Sequence, residues 1–158
     1  MILYHGSNQI VQTPRLIVSK HSLDFGKGFY MMSDLEQAQR WAQLKTKRQG
    51  TGKATVSAFE VEQPFPNSIK VRVFSKADTA WLSFITTNRR QQPIINDYDI
   101  VIGPVADDQA MPSIRLYLDG FLTATQTLAH LRTWVLKDQY AFRTERALET
   151  LIFKEAIL

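Results

Sequence analysis

The sequence predicts an α+β domain, and three observations carry that expectation. Short runs rich in β-branched and aromatic residues, such as residues 2–5 and 98–102, read as strands. Stretches with apolar residues at helical spacing interrupt them, the clearest running from Leu35 to Gly50. The two kinds of segment do not alternate regularly, which separates the pattern from a series of strand-helix-strand crossovers. A length of 158 residues and a hydrophobic share of 44% suit one domain with its own core, and no repeat, low-complexity tract or linker divides the chain.

Taken in order, Ile2-Leu3-Tyr4-His5 is a short strand stopped by Gly6-Ser7-Asn8, and residues 15–19 form a second extended piece. Phe29-Tyr30-Met31-Met32 is another. Ser33, with Glu36 three residues on, forms a capping box for a helix that carries Leu35, Ala38, Trp41, Ala42 and Leu44 on its apolar stripe until Gly50. Residues 53–62 and 69–74 read as strands, the first ending before Pro64. Ser75 caps a helix through about Asn88, with Ala77, Ala80, Trp81, Phe84 and Ile85 on one face.

Residues 98–104 have the continuous apolar centre of a buried strand ended by Gly103-Pro104. Residues 113–118 and 123–135 read as helices, with Gly120 closing the first. Residues 139–143 are extended, Thr144 caps a helical turn over residues 145–148, and Leu151-Ile152-Phe153 is a last strand.

Composition removes several kinds of chemistry. The chain has no cysteine, so disulfides, thiolate metal sites and cysteine nucleophiles are out. His5, His21 and His130 lack metal-ligand spacing, and no Gly-x-Ser-x-Gly elbow supports a serine hydrolase. Gly26-Lys27-Gly28 has neither P-loop nor dinucleotide-fingerprint spacing. With no basic leader ahead of a long apolar stretch and no membrane-length apolar window, the expected location is cytoplasmic. The formal charge of +4 and pI near 9.4 favour an acidic partner, although the groups around Lys45-Thr46-Lys47-Arg48 and Arg89-Arg90 read as solvated helix ends. The pairs Asp97/Asp99 and Asp107/Asp108 suit turns and caps better than acid-base work.

Two segments then stand out together: Leu3-Tyr4-His5-Gly6-Ser7, and Phe25-Gly26-Lys27-Gly28-Phe29-Tyr30 followed by the helix. In order and separation they resemble the first two motifs of the diphtheria-toxin-like ADP-ribosyltransferases, which include the poly-ADP-ribose polymerases. The chain also resembles a bacterial family of small proteins, a domain of unknown function assigned to that superfamily, in which residues 98–108 recur. A third segment, Gln139-Tyr140-Ala141-Phe142-Arg143, is similar to the family strand that begins with a catalytic glutamate, here replaced by glutamine.

What the resemblance implies can be stated residue by residue. The fold would be a split, mostly antiparallel β-sandwich with NAD+ in its central cleft. The catalytic triad would be His5, Tyr30 and Gln139, and the NAD+-binding set would be His5, Gly6, Ser7, Gly28, Tyr30 and Trp41, with no metal. His5 would bond a ribose hydroxyl, the Gly6 backbone would recognise the nicotinamide carboxamide, and Tyr30 and Trp41 would offer faces to the nicotinamide ring. Ala38 stands where many members carry a serine that bonds the carboxamide, a loss worth about 0.5–1.5 kcal/mol.

An amide at 139 can hydrogen-bond but cannot act as a base or carry the charge that stabilises an oxocarbenium ion, so chain elongation is not expected. Glu145 is the nearby carboxylate, though its first-turn position suits helix-dipole stabilisation. The expected activity is transfer of a single ADP-ribose from NAD+ to a protein or nucleic-acid acceptor, as a toxin or a regulator. A toxin role would bring an antitoxin-like partner. A non-catalytic NAD+ or ADP-ribose binding module and an NAD+ glycohydrolase are the alternatives, and no membrane contact is expected.

Overall fold

The computed structural model describes residues 1–16, 23–90, 98–132 and 136–158. The order of elements is β1 (Ile2–Ser7), β2 (Phe29–Met31), α1 (Leu35–Gln49), β3 (Thr55–Val61), β4 (Val71–Val73), α2 (Thr79–Arg89), β5 (Ile100–Pro104), α3 (Met111–Leu118), α4 (Ala124–Leu131), β6 (Asp138–Phe142), α5 (Glu145–Leu148) and β7 (Leu151–Ile157). The protein is α+β, as the irregular mixture of segments predicts.

The strands form two sheets. One holds β1-β3-β7, all antiparallel; the other holds β2-β6-β5-β4, in which β4 and β5 are the parallel pair. Successive side chains on a strand point to opposite faces, so each sheet separates its residues into two sets. Leu3 of β1 and Phe59 and Val61 of β3 meet Phe29, Met31, Ile100 and Phe142 of the second sheet, which makes one core between the two sheets. The opposite face of the first sheet, with Tyr4 and Val56, is covered by Ala38 and Ala42 of α1. The opposite face of the second sheet, with Val101 and Ala141, is covered by Trp81, Leu82 and Ile85 of α2, Ile114 of α3 and Leu128 and Leu131 of α4.

Several helix starts differ from the sequence expectation. The cap of α1 is Asp34, whose carboxylate accepts from the Gln37 N–H at 2.8 Å. Ser33 does not close a capping box; its hydroxyl donates to Asp138 Oδ1 at 2.6 Å, and Glu36 pairs with Arg40 one turn on. Asp78, three residues beyond Ser75, caps α2 through the Trp81 N–H at 2.9 Å. In both places an aspartate bonds the backbone N–H three residues on, the usual capping geometry, where the serine would have started the helix earlier.

Ala80 of α2 is exposed, whereas Leu82 and Thr86 are buried. On α1 only Ala38 and Ala42 of the expected stripe are buried, and Trp41 and Leu44 are each 41% exposed. The small alanines let α1 lie close on β1, which leaves the larger residues to either side without a surface to cover. Gly50 ends α1 at φ +66°, Gly120 follows α3 at φ +82°, and Thr144 caps α5 as expected. The helix expected over residues 123–135 ends at Leu131, and residues 133–135 lie outside the described set. Of the extended piece at residues 15–19, Arg15 and Leu16 are described and belong to no strand.

Candidate functional site

Among the described residues, one backbone bridge joins the two sheets, between β1 and the residue that follows β2. Tyr4 and Met32 exchange both backbone hydrogen bonds, Tyr4 N–H to Met32 O at 2.8 Å and Met32 N–H to Tyr4 O at 2.9 Å. In an antiparallel ladder the next pair of this kind would join Gly6 to Tyr30. The bridge is an isolated one, and the two strands part there. The Tyr30 carbonyl accepts instead from His5 Nδ1 at 2.8 Å. Because backbone groups alternate sides along a strand, the Gly6 N–H and C=O point the same way as those of Tyr4, toward β2 and into the gap.

The imidazole that closes this gap is chemically defined. A carbonyl oxygen only accepts, so Nδ1 carries the proton and Nε2 is left as an acceptor. The ring stacks on Phe29 with centroids 4.2 Å apart. Burial lowers the His5 pKa to about 4; the nearby Lys45 charge pushes the same way and the Tyr30 bond opposes. His5 is therefore neutral at pH 7.

The remaining residues of the two leading motifs are held by the same elements. A Cβ on Gly6 would collide with the Ala38 carbonyl of α1, so this glycine is what allows the helix to sit on β1. A Cβ on Gly28 would lie 2.9 Å from the Phe142 carbonyl, so Gly28 serves the close pairing of β2 with β6. Gly26 takes φ +79° in the turn before β2. The Tyr30 hydroxyl donates to Gly26 O at 2.5 Å and accepts from the Phe25 N–H at 3.1 Å, which fixes the phenol against the loop. Burial, with the Asp24 charge adding to it, raises the Tyr30 pKa well above its ordinary value, so the hydroxyl stays protonated.

Tyr30 and Gln139 share a face of the second sheet, diagonally placed because Tyr30 pairs with Ala141. His5 lies on the other face with Phe29, so the three residues of the expected triad do not converge as side chains. Gln139 is buried, and its Nε2 donates to Asp24 Oδ2 at 3.3 Å. Asp24 also accepts from Arg89 Nε at 2.7 Å and from the Ala106 N–H at 3.2 Å. Arg89 is thus partly buried in an ion pair with the buried Asp24 rather than solvated at a helix end. Sequence spacing offers no hint of this cluster, since its members are separated by 65 and 115 residues.

Trp41 stands on the exposed side of α1 with the Arg48 guanidinium over its ring, 5.8 Å from the centroid. Ser7 is buried, and its hydroxyl accepts from Lys45 Nζ at 3.3 Å. Of the aspartates paired in the sequence, Asp99 and Asp107 serve structure. Burial would raise the Asp99 carboxyl, but bonds from Arg146, the Lys70 N–H and Thr144 hold it below its ordinary value. Asp107 accepts from the N–H groups of Gln109 and Ala110 at the start of α3. Asp97 and His21 lie outside the described residues, and His130 Nδ1 is 3.2 Å from the Ser113 hydroxyl. Among the described residues no histidine and carboxylate cluster could hold a metal, and no helix is long and apolar enough to cross a membrane.

The model of the family described as "Protein of unknown function (DUF3990)" matches residues 1–153. The chain belongs to this family. The match takes in β1, the Phe25-to-Tyr30 loop and strand, α1 and β6, so the gap between β1 and β2 and the Asp24 cluster both lie within the family's span. No curated protein and no solved structure matches the chain.

Proposed function

We propose that this member of the family is an ADP-ribosyltransferase that binds NAD+ at the parting of β1 and β2 and transfers one ADP-ribose unit to a macromolecule. The observation that carries the reading is the set of recognition groups that β1 presents at the gap. The Gly6 N–H and C=O face it together, which matches the acceptor and donor of a carboxamide. His5 Nε2, fixed as an acceptor by the Tyr30 carbonyl, matches a ribose hydroxyl. In this reading the two sheets are the halves of a split β-sandwich of the ADP-ribosyltransferase type, the tethered phenol of Tyr30 orients the nicotinamide end, and water is excluded by the core between the sheets.

The glycosidic bond to nicotinamide breaks as positive charge develops on the ribose, and the pair of electrons leaves with nicotinamide. His5 and Gly6 hold the two sides of that bond in place, so their contribution is orientation rather than proton transfer. The acceptor's own nucleophile attacks the ribose carbon and loses its proton.

One observation favours a second reading, that of an NAD+ or ADP-ribose binding module. The Gln139 amide is committed to Asp24, away from His5, and supplies no base. Incubation with radiolabelled NAD+ and a lysate containing protein and nucleic acid separates the readings. The transferase reading expects label on a macromolecule with release of nicotinamide. Nicotinamide without label would mean hydrolysis, and binding without either product would leave the module.

A further inference from the structure

Beyond His5, β1 runs into an open cavity of about 610 Å³ lined by the loop after the strand and by α1. His5, Ser7, Phe29, Arg15, Lys45 and Gln49 are among its walls, and no carboxylate is among the described residues that line it. Two cations therefore face a concave space that already contains the His5 edge. Most lysines reach water, but Lys45 is half-buried, and desolvation lowers its pKa. Its ammonium donates to Ser7 Oγ at 3.3 Å, while Ser7 donates onward to Asn8 Oδ1 at 3.4 Å. The ammonium has three donors, and Ser7 uses one. Among the described residues no ion pair joins Lys45 to a carboxylate, so the desolvation of this cation is not offset within the fold.

We infer that Lys45, oriented by Ser7 and supported by Arg15, is the anion-binding residue of this cavity and takes a phosphate or diphosphate group. Its identity as the diphosphate of NAD+ rests on the proposed function; the anionic class does not. A dinucleotide with its ribose hydroxyl on His5 Nε2 would carry its diphosphate along the same wall toward Lys45, since both residues line one cavity. The cluster Lys45-Thr46-Lys47-Arg48 is then divided in function: Lys45 is half-buried at the cavity, while Lys47 and Arg48 are exposed.

Titration calorimetry with ADP-ribose, with inorganic pyrophosphate and with nicotinamide tests the assignment on the wild type, Lys45→Gln and Lys45→Arg, each confirmed as folded by thermal melting. Lys45→Gln is expected to weaken ADP-ribose and pyrophosphate about tenfold or more and to leave nicotinamide unchanged, and Lys45→Arg to recover most of the loss. Pyrophosphate binding that depends on Lys45 without binding of ADP-ribose would keep the anion site and end the dinucleotide reading. Equal ADP-ribose affinity in wild type and Lys45→Gln would overturn the anion site and keep the dinucleotide reading. Failure of the folded wild type to bind either anion would overturn both. If Lys45→Gln does not fold, the wild type alone decides: affinity for ADP-ribose must fall as salt rises, and a flat salt dependence overturns the inference.

Discussion

His5 holds its proton on Nδ1 because a carbonyl faces that atom, and its buried ring stays neutral down to a pH of about 4. In the unfolded chain the same group takes a proton near its ordinary value of 6.5. Below that pH the unfolded state binds more protons than the folded one, so folding stability falls as pH drops from 6.5 to about 4, by on the order of 3 kcal/mol. Above 6.5 this contribution is constant. Replacing His5 by Phe, which keeps the stack on Phe29, should remove that segment of the pH-stability curve; an unchanged curve by denaturant titration would place the effect elsewhere. At Gln139 the sign reverses. Gln139→Glu would set a second carboxyl against Asp24 in a buried site, raise its pKa, and cost stability that grows as pH rises above the ordinary glutamate range, by about 1–3 kcal/mol at neutral pH. Adding Asp24→Asn should return most of it, and a Gln139→Glu protein as stable as wild type at pH 7 would contradict the cluster. His5, Gly6 and Tyr30 were legible because a contiguous motif carries each of them. Asp24, Arg89 and Lys45 were not, because their partners are set by how sheets and helices pack, which no local spacing encodes.

The elements show where local reading succeeds. Strand positions followed from β-branched and aromatic runs, and Gly50 and Thr144 marked helix ends through their own backbone preferences. The starts of α1 and α2 were displaced because serine and aspartate compete for the same role, and tertiary bonds such as Ser33 to Asp138 decide between them. Asp34→Ala removes a side-chain cap and the ion pair to Lys137, and is expected to cost about 1 kcal/mol in thermal or chemical unfolding. Ser33→Ala leaves that cap in place. If it destabilised the protein more than Asp34→Ala, the cap would be misassigned. Trp41 fits the apolar stripe by spacing, yet Ala38 and Ala42, with Leu35 beside them, make the contact. Gly6 is what permits it: Gly6→Ala would force its Cβ onto the Ala38 backbone carbonyl, which has no flexible end to yield, and should cost about 1–3 kcal/mol.

Across the whole molecule, a core lies between two sheets with helices on both outer faces, and among the described residues the sheets are stitched at the Tyr4–Met32 bridge and then separate. The α+β class was readable from the irregular order of segments; the pairing of β1 with β3, and of β3 with β7, was not, because strand order depends on contacts far apart in the chain. On the proposed function, NAD+ occupies the parting of β1 and β2. Calorimetric titration of NAD+ into the wild type and into folded His5→Phe tests it most directly. The wild type is expected to bind, with a loss of about tenfold or more in the variant, which keeps the ring stack but lacks both imidazole nitrogens. Equal affinity in the two proteins, or no binding by the wild type, would contradict it.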